Sequence, residues 1–303
     1  MNQINQSQKD YYIERFNRVF DFIDNNLEQS ISLNDLARTA NLSKFHFTRL
    51  FSAKYRESPF EFISRVRLEK IKAFLLLHPT ENVSDIAYRF GFNDPAVFSR
   101  QFKSHFGLSP TIYRKEKLKD SNKGQIAFQG SKYFCSEQKK YITMKQLKEH
   151  KVANLPEMTV AYLQHFGAYR KSGEVYGQLF GKLFEWAGKN DLLKTDPKSI
   201  VIHYDDPTTT PDENQRMRVC ITIPSETNVS GEIGKTTLPS GKYFVGRFEL
   251  KAEDLEKAWS WIYGEWLPKS GYKPADNVPF QMYPEEPKNG NFVIDFCVPV
   301  EKI

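Results

Sequence analysis

The sequence predicts two domains of different class: an all-α front over residues 1–118 and an α+β rear over 143–303. Three observations predict them. The stretch "VSDIAYRFGFNDPAVFSRQFKSHFGLSP" (83–110) restates "LNDLARTANLSKFHFTRLFSAKYRESP" (33–59), so the front repeats one helical unit about fifty residues apart. Beyond residue 142 the style changes to alternating, aromatic-rich runs such as "TVAYLQHF" and "RVCITIP", which are strand patterns, separated by two helical stretches. Finally, "LFGKLFEWAGKNDLLKTDPKSIVIHYDDP" (179–207) lies over "AWSWIYGEWLPKSGYKPADNVPFQMYPEEP" (258–287) at an offset of 79 to 80, so the rear is also duplicated.

In chain order, Ile13, Phe16, Phe20, Ile23 and Leu27 recur at three- and four-residue steps and predict a leading helix over 10–26. Ser32 suits the N-cap of "LNDLARTA" and Ser43 that of "KFHFTRLFSAKY", because a side-chain oxygen there accepts from the free N–H groups of the first turn. Ser58-Pro59 opens a long helix, "FEFISRVRLEKIKAFLLL". The pattern then restarts. Ser84-Asp85 opens "IAYRF", Asn93 or Asp94 caps "PAVFSRQFKSHF", and Ser109-Pro110 opens a short last helix through Tyr113. The stretch 119–142, rich in Lys, Ser, Gly and Gln and without a period, reads as a linker.

Composition narrows the function. The longest apolar run, "AFLLL" (73–77), is far short of a bilayer span, and no secretory leader pattern opens the sequence, so a cytoplasmic protein is expected. Cys135, Cys220 and Cys297 are too few for a disulfide framework and lack metal-ligand spacing. No G-x-S-x-G, phosphate loop or His-rich metal pattern appears, so neither a catalytic residue, a metal nor a cofactor is expected. Residues 1–118 carry a formal charge of +5 and 119–142 of +3, whereas 143–303 carry −2. Only the front is suited to a polyanion.

Each front unit, over about 32–55 and 83–106, places a short helix, a tight turn and a second helix in order. The turns carry Asn41 and Gly91, residue types that adopt positive φ readily. On the second helices, Phe47, Leu50 and Phe51, and Phe98, Phe102 and Phe106, form the core side. Lys44, His46, Thr48 and Arg49, and Asp94, Ser99, Arg100 and Lys103, are left for a partner. A major groove admits one α-helix, and a guanidinium reads guanine in bidentate fashion. Two such helices joined by one rigid helix suit successive grooves of double-stranded DNA, and Arg65, Arg67 and Lys70 on the joining helix suit phosphates. "DIAYRFGFNDPAVFSRQFKSHFGLSPTIYR" resembles the double helix-turn-helix domain of AraC/XylS-type transcription regulators over about 100 residues. The resemblance implies groove contacts at Phe45, Thr48 and Arg49 and at Pro95, Ala96, Ser99 and Arg100. It also makes RNA polymerase a further candidate partner.

The rear is similar to GyrI-like effector-binding domains in "YDDP", "SGKYFVGRF", "WSWIYGEWLPKSGY", "PFQMY" and the closing "DFCVPV". That similarity implies a duplicated βαββ fold with a small-molecule groove between its halves. The expected ligand-facing set is Tyr169, Tyr176, His203, Trp259, Tyr263, Trp266, Gln281, Tyr283 and Asp295. The family usually has glutamate where this chain has Gln281 and an acid where it has Arg218, so a neutral or anionic effector, apolar and aromatic, is expected. Asp295, Glu249 and Glu265 are the substitutes for the missing acid. Two alternatives stand beside this reading: a hydrolase of small reactive compounds, suggested by His203 beside Tyr204-Asp205, and a gyrase-binding module.

Overall fold

The structure, a computed structural model, describes residues 2–121, 146–169, 172–205, 210–275 and 277–303. It divides into two compact units, Met1–Lys119 with Ser230–Gly234, and Asp120–Val229 with Lys235–Ile303. Cys135 and residues 122–142 of the expected linker lie outside the described residues.

The elements over residues 2–121 are all helices: α1 (Asn2–Asn25), α2 (Leu33–Thr39), α3 (Lys44–Tyr55), α4 (Pro59–Leu77), α5 (Val83–Arg89), α6 (Pro95–Phe106) and α7 (Pro110–Ser121). Caps set the starts. Ser32 and Ser58 each close a reciprocal capping box with Asp35 and Glu61, and Ser43 and Asp94 accept from His46 N and Ala96 N. The expected start at Ser84-Asp85 moves two residues earlier, since Asn82 holds the N-cap position of α5, without a side-chain bond. Nor does α7 stop at Tyr113; it continues to Ser121. The duplication extends to the turns. Asn41 and Gly91 have φ of 50° and 75°, and the amides that follow, of Leu42 and Phe92, donate back to the carbonyls of Ala37 and Ala87 at 2.9 and 3.0 Å. Both second helices then end on a left-handed residue, Arg56 and Gly107. One core joins Phe16 and Phe20 of α1 to Phe47 and Phe51 of α3 and Phe62 of α4, while a second gathers Ile71, Phe74, Phe90, Phe98 and Phe102.

The rear unit is one antiparallel sheet with two helices on its outer face. Its strands are β1 (Leu147–Leu155), β2 (Met158–Phe166), β3 (Ser199–His203), β4 (Arg216–Thr222), β5 (Gly234–Leu238), β6 (Gly241–Lys251), β7 (Tyr272–Pro274), β8 (Phe280–Tyr283) and β9 (Asn291–Lys302), with α8 (Gly173–Lys189) and α9 (Leu255–Trp261) between them. The order β1-β6-β9-β8-β3-β4-β2-β5, with β7 beside β9, sets β2-α8-β3-β4 against β6-α9-β8-β9 as mirrored βαββ halves. They meet where β3 pairs β8, with Ser199 opposite Tyr283 and Val201 opposite Gln281. Two-residue turns at Pro156-Glu157 and Pro239-Ser240 tie one end of this order to the other, so the sheet must curl. Its inner face packs Tyr162, Ile200, Cys220, Tyr243, Phe280 and Cys297 into one core. On the outer face α9 covers Phe244, Phe248, Ile294 and Phe296, and α8 seats Leu183 and Ala187.

Candidate nucleic-acid interface and effector groove

On α3 and α6 the same residue roles fall at the same places, 51 residues apart. Phe47 and Phe51, like Phe98 and Phe102, have no exposed surface, and Arg49 and Arg100 stand on the open side beside them. Lys44, Phe45, Ala96 and Lys103 are also exposed, while Thr48, Pro95 and Ser99 are half-buried. Phe45 is 65% exposed, so it serves no core. The Arg49 guanidinium lies over its ring at 5.3 Å, which steadies a long side chain on a surface helix. The Thr48 hydroxyl donates to the Lys44 carbonyl at 2.9 Å, which engages its proton within the helix.

Arg65 is a correction. Instead of reaching outward for phosphate it is 7% exposed and grips Glu57 through Nη2 at 2.6 Å and Nε at 3.2 Å. Arg67 is likewise engaged internally, donating to the carbonyls of Leu27, Gln29 and Gly91. With Arg15, which donates to the carbonyls of Ala40 and Asn41, it makes one arginine per helix-turn-helix turn a structural clamp. Sequence reasoning missed this use, although Arg65 falls in step with Phe62 and Glu69 on the buried side of α4. Further along that side, Glu69 holds Lys72 at 2.8 Å and meets His105 of α6 at 3.2 Å. Burial alone would raise the Glu69 carboxyl, but Lys72 and His105 outweigh it and hold the group at about 2.

In the rear unit a chain of rings runs across the seam. Phe180 of α8 meets Tyr283, whose hydroxyl donates to Gln281 Oε1 at 3.0 Å. Gln281 is opposite Phe296 in the sheet, Phe296 meets Trp259 edge-on at 4.9 Å, and Trp259 stacks on Tyr263. In the other direction along β3, His203 shares the face of Val201 and packs on Tyr169 at 5.0 Å, with Tyr176 beyond it. Burial raises the Tyr283 and Tyr263 hydroxyls well above the usual phenol range, so both remain protonated donors.

Two expected members do not join this set. Asp295 pairs with Met282, not Gln281, which puts it on the opposite face, bidentate to Arg247 at 2.7 Å. Trp266 follows a π-turn, Ile262–Trp266, that rotates it out of line with Trp259 and Tyr263, and it packs on Phe244 and Tyr272. Glu249 and Glu265 fail as substitutes too, since each holds a lysine, Lys148 and Lys269. Phe180 and Phe296 are members the sequence reading missed. Their signal was the apolar stripe of α8 and the alternation of "DFCVPV". Among the described residues no cluster of His, Cys, Asp and Glu is placed to hold a metal ion, and no helix is long and apolar enough to cross a membrane.

Residues 148–301 match the family described as GyrI-like small molecule binding domain, and residues 36–116 match a helix-turn-helix domain. The lactose operon transcription activator of Staphylococcus xylosus is 33% identical over 107 residues, which are 35% of this chain and 38% of that protein. The transposon Tn10 TetD protein of Escherichia coli is 32% identical over 122 residues, 39% of this chain and 88% of that protein. A DNA gyrase inhibitor of Yersinia enterocolitica is 29% identical over 108 residues, 34% of this chain and 69% of that protein. The chain spans about two fifths of the length of the lactose operon activator. With half its length in the one match and the repeated helix pairs in the other, the chain belongs to the GyrI-like small-molecule-binding family and carries an AraC-type helix-turn-helix domain in front.

Proposed function

We propose that the protein is a sequence-specific transcription regulator that reads double-stranded DNA with α3 and α6 and senses a small aromatic effector with its rear domain. The observation that carries the DNA reading is the matched placement of Arg49 and Arg100, each exposed beside two fully buried phenylalanines. A helix so oriented presents its guanidinium to base edges while its phenylalanines hold its angle. The effector reading is supported by the ring chain through Tyr283, Gln281 and Trp259 at the seam between the halves, where large π-faces offer a flat ligand contact area. RNA polymerase is the further partner that such a regulator would meet in the cytoplasm. No residue is assigned a catalytic role.

Selection by the full chain from random duplexes tests the DNA reading. The expected product is a sequence with two conserved blocks about one helical turn apart. Enrichment of no sequence would contradict it.

A further inference from the structure

We propose that the front unit holds a small-molecule site of its own, a pocket between the α1–α2 loop, α4 and the second helix-turn-helix unit, and that it takes a small monocarboxylate with an apolar body. The site is independent of the effector groove, since every residue lining it belongs to the front unit.

The pocket measures about 330 Å³, at the small end of ligand cavities. Ile31, Ile63 and Phe92 give it an apolar wall, and Phe60 of α4 stands on its rim 52% exposed. An apolar guest would cover that ring and remove it from water. Arg67 supplies the charge. Its guanidinium lines the pocket and donates to the carbonyls of Leu27, Gln29 and Gly91, and no carboxylate among the described residues pairs with it. Carbonyls satisfy N–H groups without cancelling the charge, and these three bonds leave further N–H groups on Nη1 and Nη2 for an anion. Gly91 makes the room for this arrangement, because a Cβ there would lie 2.7 Å from Nη2. Ser64 donates to Gln101 Oε1 at 2.7 Å, which joins α4 to α6 beside the pocket and adds polar edge without charge. None of the described lining residues is acidic. A carboxylate therefore meets one positive charge and no negative one, whereas a cation meets the reverse. The apolar wall decides the rest, since a bare anion such as phosphate gains nothing from Phe60, Ile31 and Ile63.

The test uses the full chain with its isoleucine methyl groups isotopically labelled for NMR, so that Ile31 and Ile63, identified through Ile31→Val and Ile63→Val, report on the pocket itself. The probes are cyclohexanecarboxylate, the neutral cyclohexanemethanol of similar shape, and inorganic phosphate. The carboxylate should move both methyl signals and bind about ten-fold tighter than the alcohol, the gain of a charged hydrogen bond over a neutral one. Phe60→Glu, a change at an exposed side chain, should weaken the carboxylate about ten-fold by setting a like charge at the rim and removing the ring. An alcohol that binds as tightly as the carboxylate overturns the proposal, and so does phosphate that moves the two signals as strongly, because the apolar wall would then have no part in binding. A Phe60→Glu protein that binds the carboxylate like the wild type overturns it as well. If millimolar carboxylate leaves Ile31 and Ile63 unmoved, the pocket is refuted; signals that move only at rear-unit positions such as Ile200 and Ile294 refute it while leaving the effector reading in place.

Discussion

Arg49, Arg100 and Arg65 carry the same group on helices of one unit, and their surroundings assign them opposite tasks. Arg49 and Arg100 are exposed on the open side of α3 and α6, so under the proposed DNA reading replacing either with alanine should cost about 1–3 kcal/mol of specific affinity, measured as Kd on the selected sequence. Arg65 is buried on Glu57. Arg65→Ala should destabilise the front unit by about 3–5 kcal/mol, the usual result of stranding a buried partner, and leave the salt dependence of DNA binding unaltered. A flatter salt slope in that variant would return Arg65 to the phosphates. Gly91 makes a third case. Its φ is 75°, and a Cβ there would sit 2.7 Å from Arg67 Nη2, so Gly91→Ala should lower the melting temperature and loosen the second turn.

At the scale of elements, what was legible in the sequence was what is set locally. Ser32, Ser43 and Ser58 cap helices through atoms three residues away, and Asn41 and Gly91 turn the chain with their own φ, so their identities announce those features. The helical period likewise gave Phe47, Phe51, Phe98 and Phe102. Asp295 was not legible, because its face relative to Gln281 depends on the register of β9 against β8, and a shift of one residue exchanges the two faces. Nor was Trp266, whose place depends on a π-turn that no residue type marks. The α4–α6 contact illustrates the same limit, for Glu69 and Lys72 of α4 meet His105 of α6 only through the packing of the two helices, which no local pattern announces. The Glu69 carboxyl is depressed in the folded state from its ordinary 4.5 to about 2, so its contribution is complete above that ordinary value and is lost as pH falls from there through 2. The melting temperature of the full chain's helical transition should decline over that interval. Glu69→Gln should lower it at neutral pH and flatten its acid dependence; an unchanged acid profile would remove Glu69 from the account.

On the scale of the whole molecule, both units are built by duplication, yet the two duplications serve different ends. In the front the copies keep their exposed arginines in register, which suits a target that itself repeats once per helical turn. In the rear the copies share one sheet, and the residues at their seam, Gln281, Tyr283 and Val201, no longer resemble each other, which suits a single asymmetric ligand. The central claim, that α3 and α6 each read one half of a bipartite site, is tested most directly by hydroxyl-radical footprinting of the full chain on its selected duplex, beside Arg49→Ala and Arg100→Ala. Two protected patches about one turn, roughly 34 Å, apart are predicted, the first variant losing one and the second losing the other. A single continuous patch weakened alike by both substitutions would contradict it.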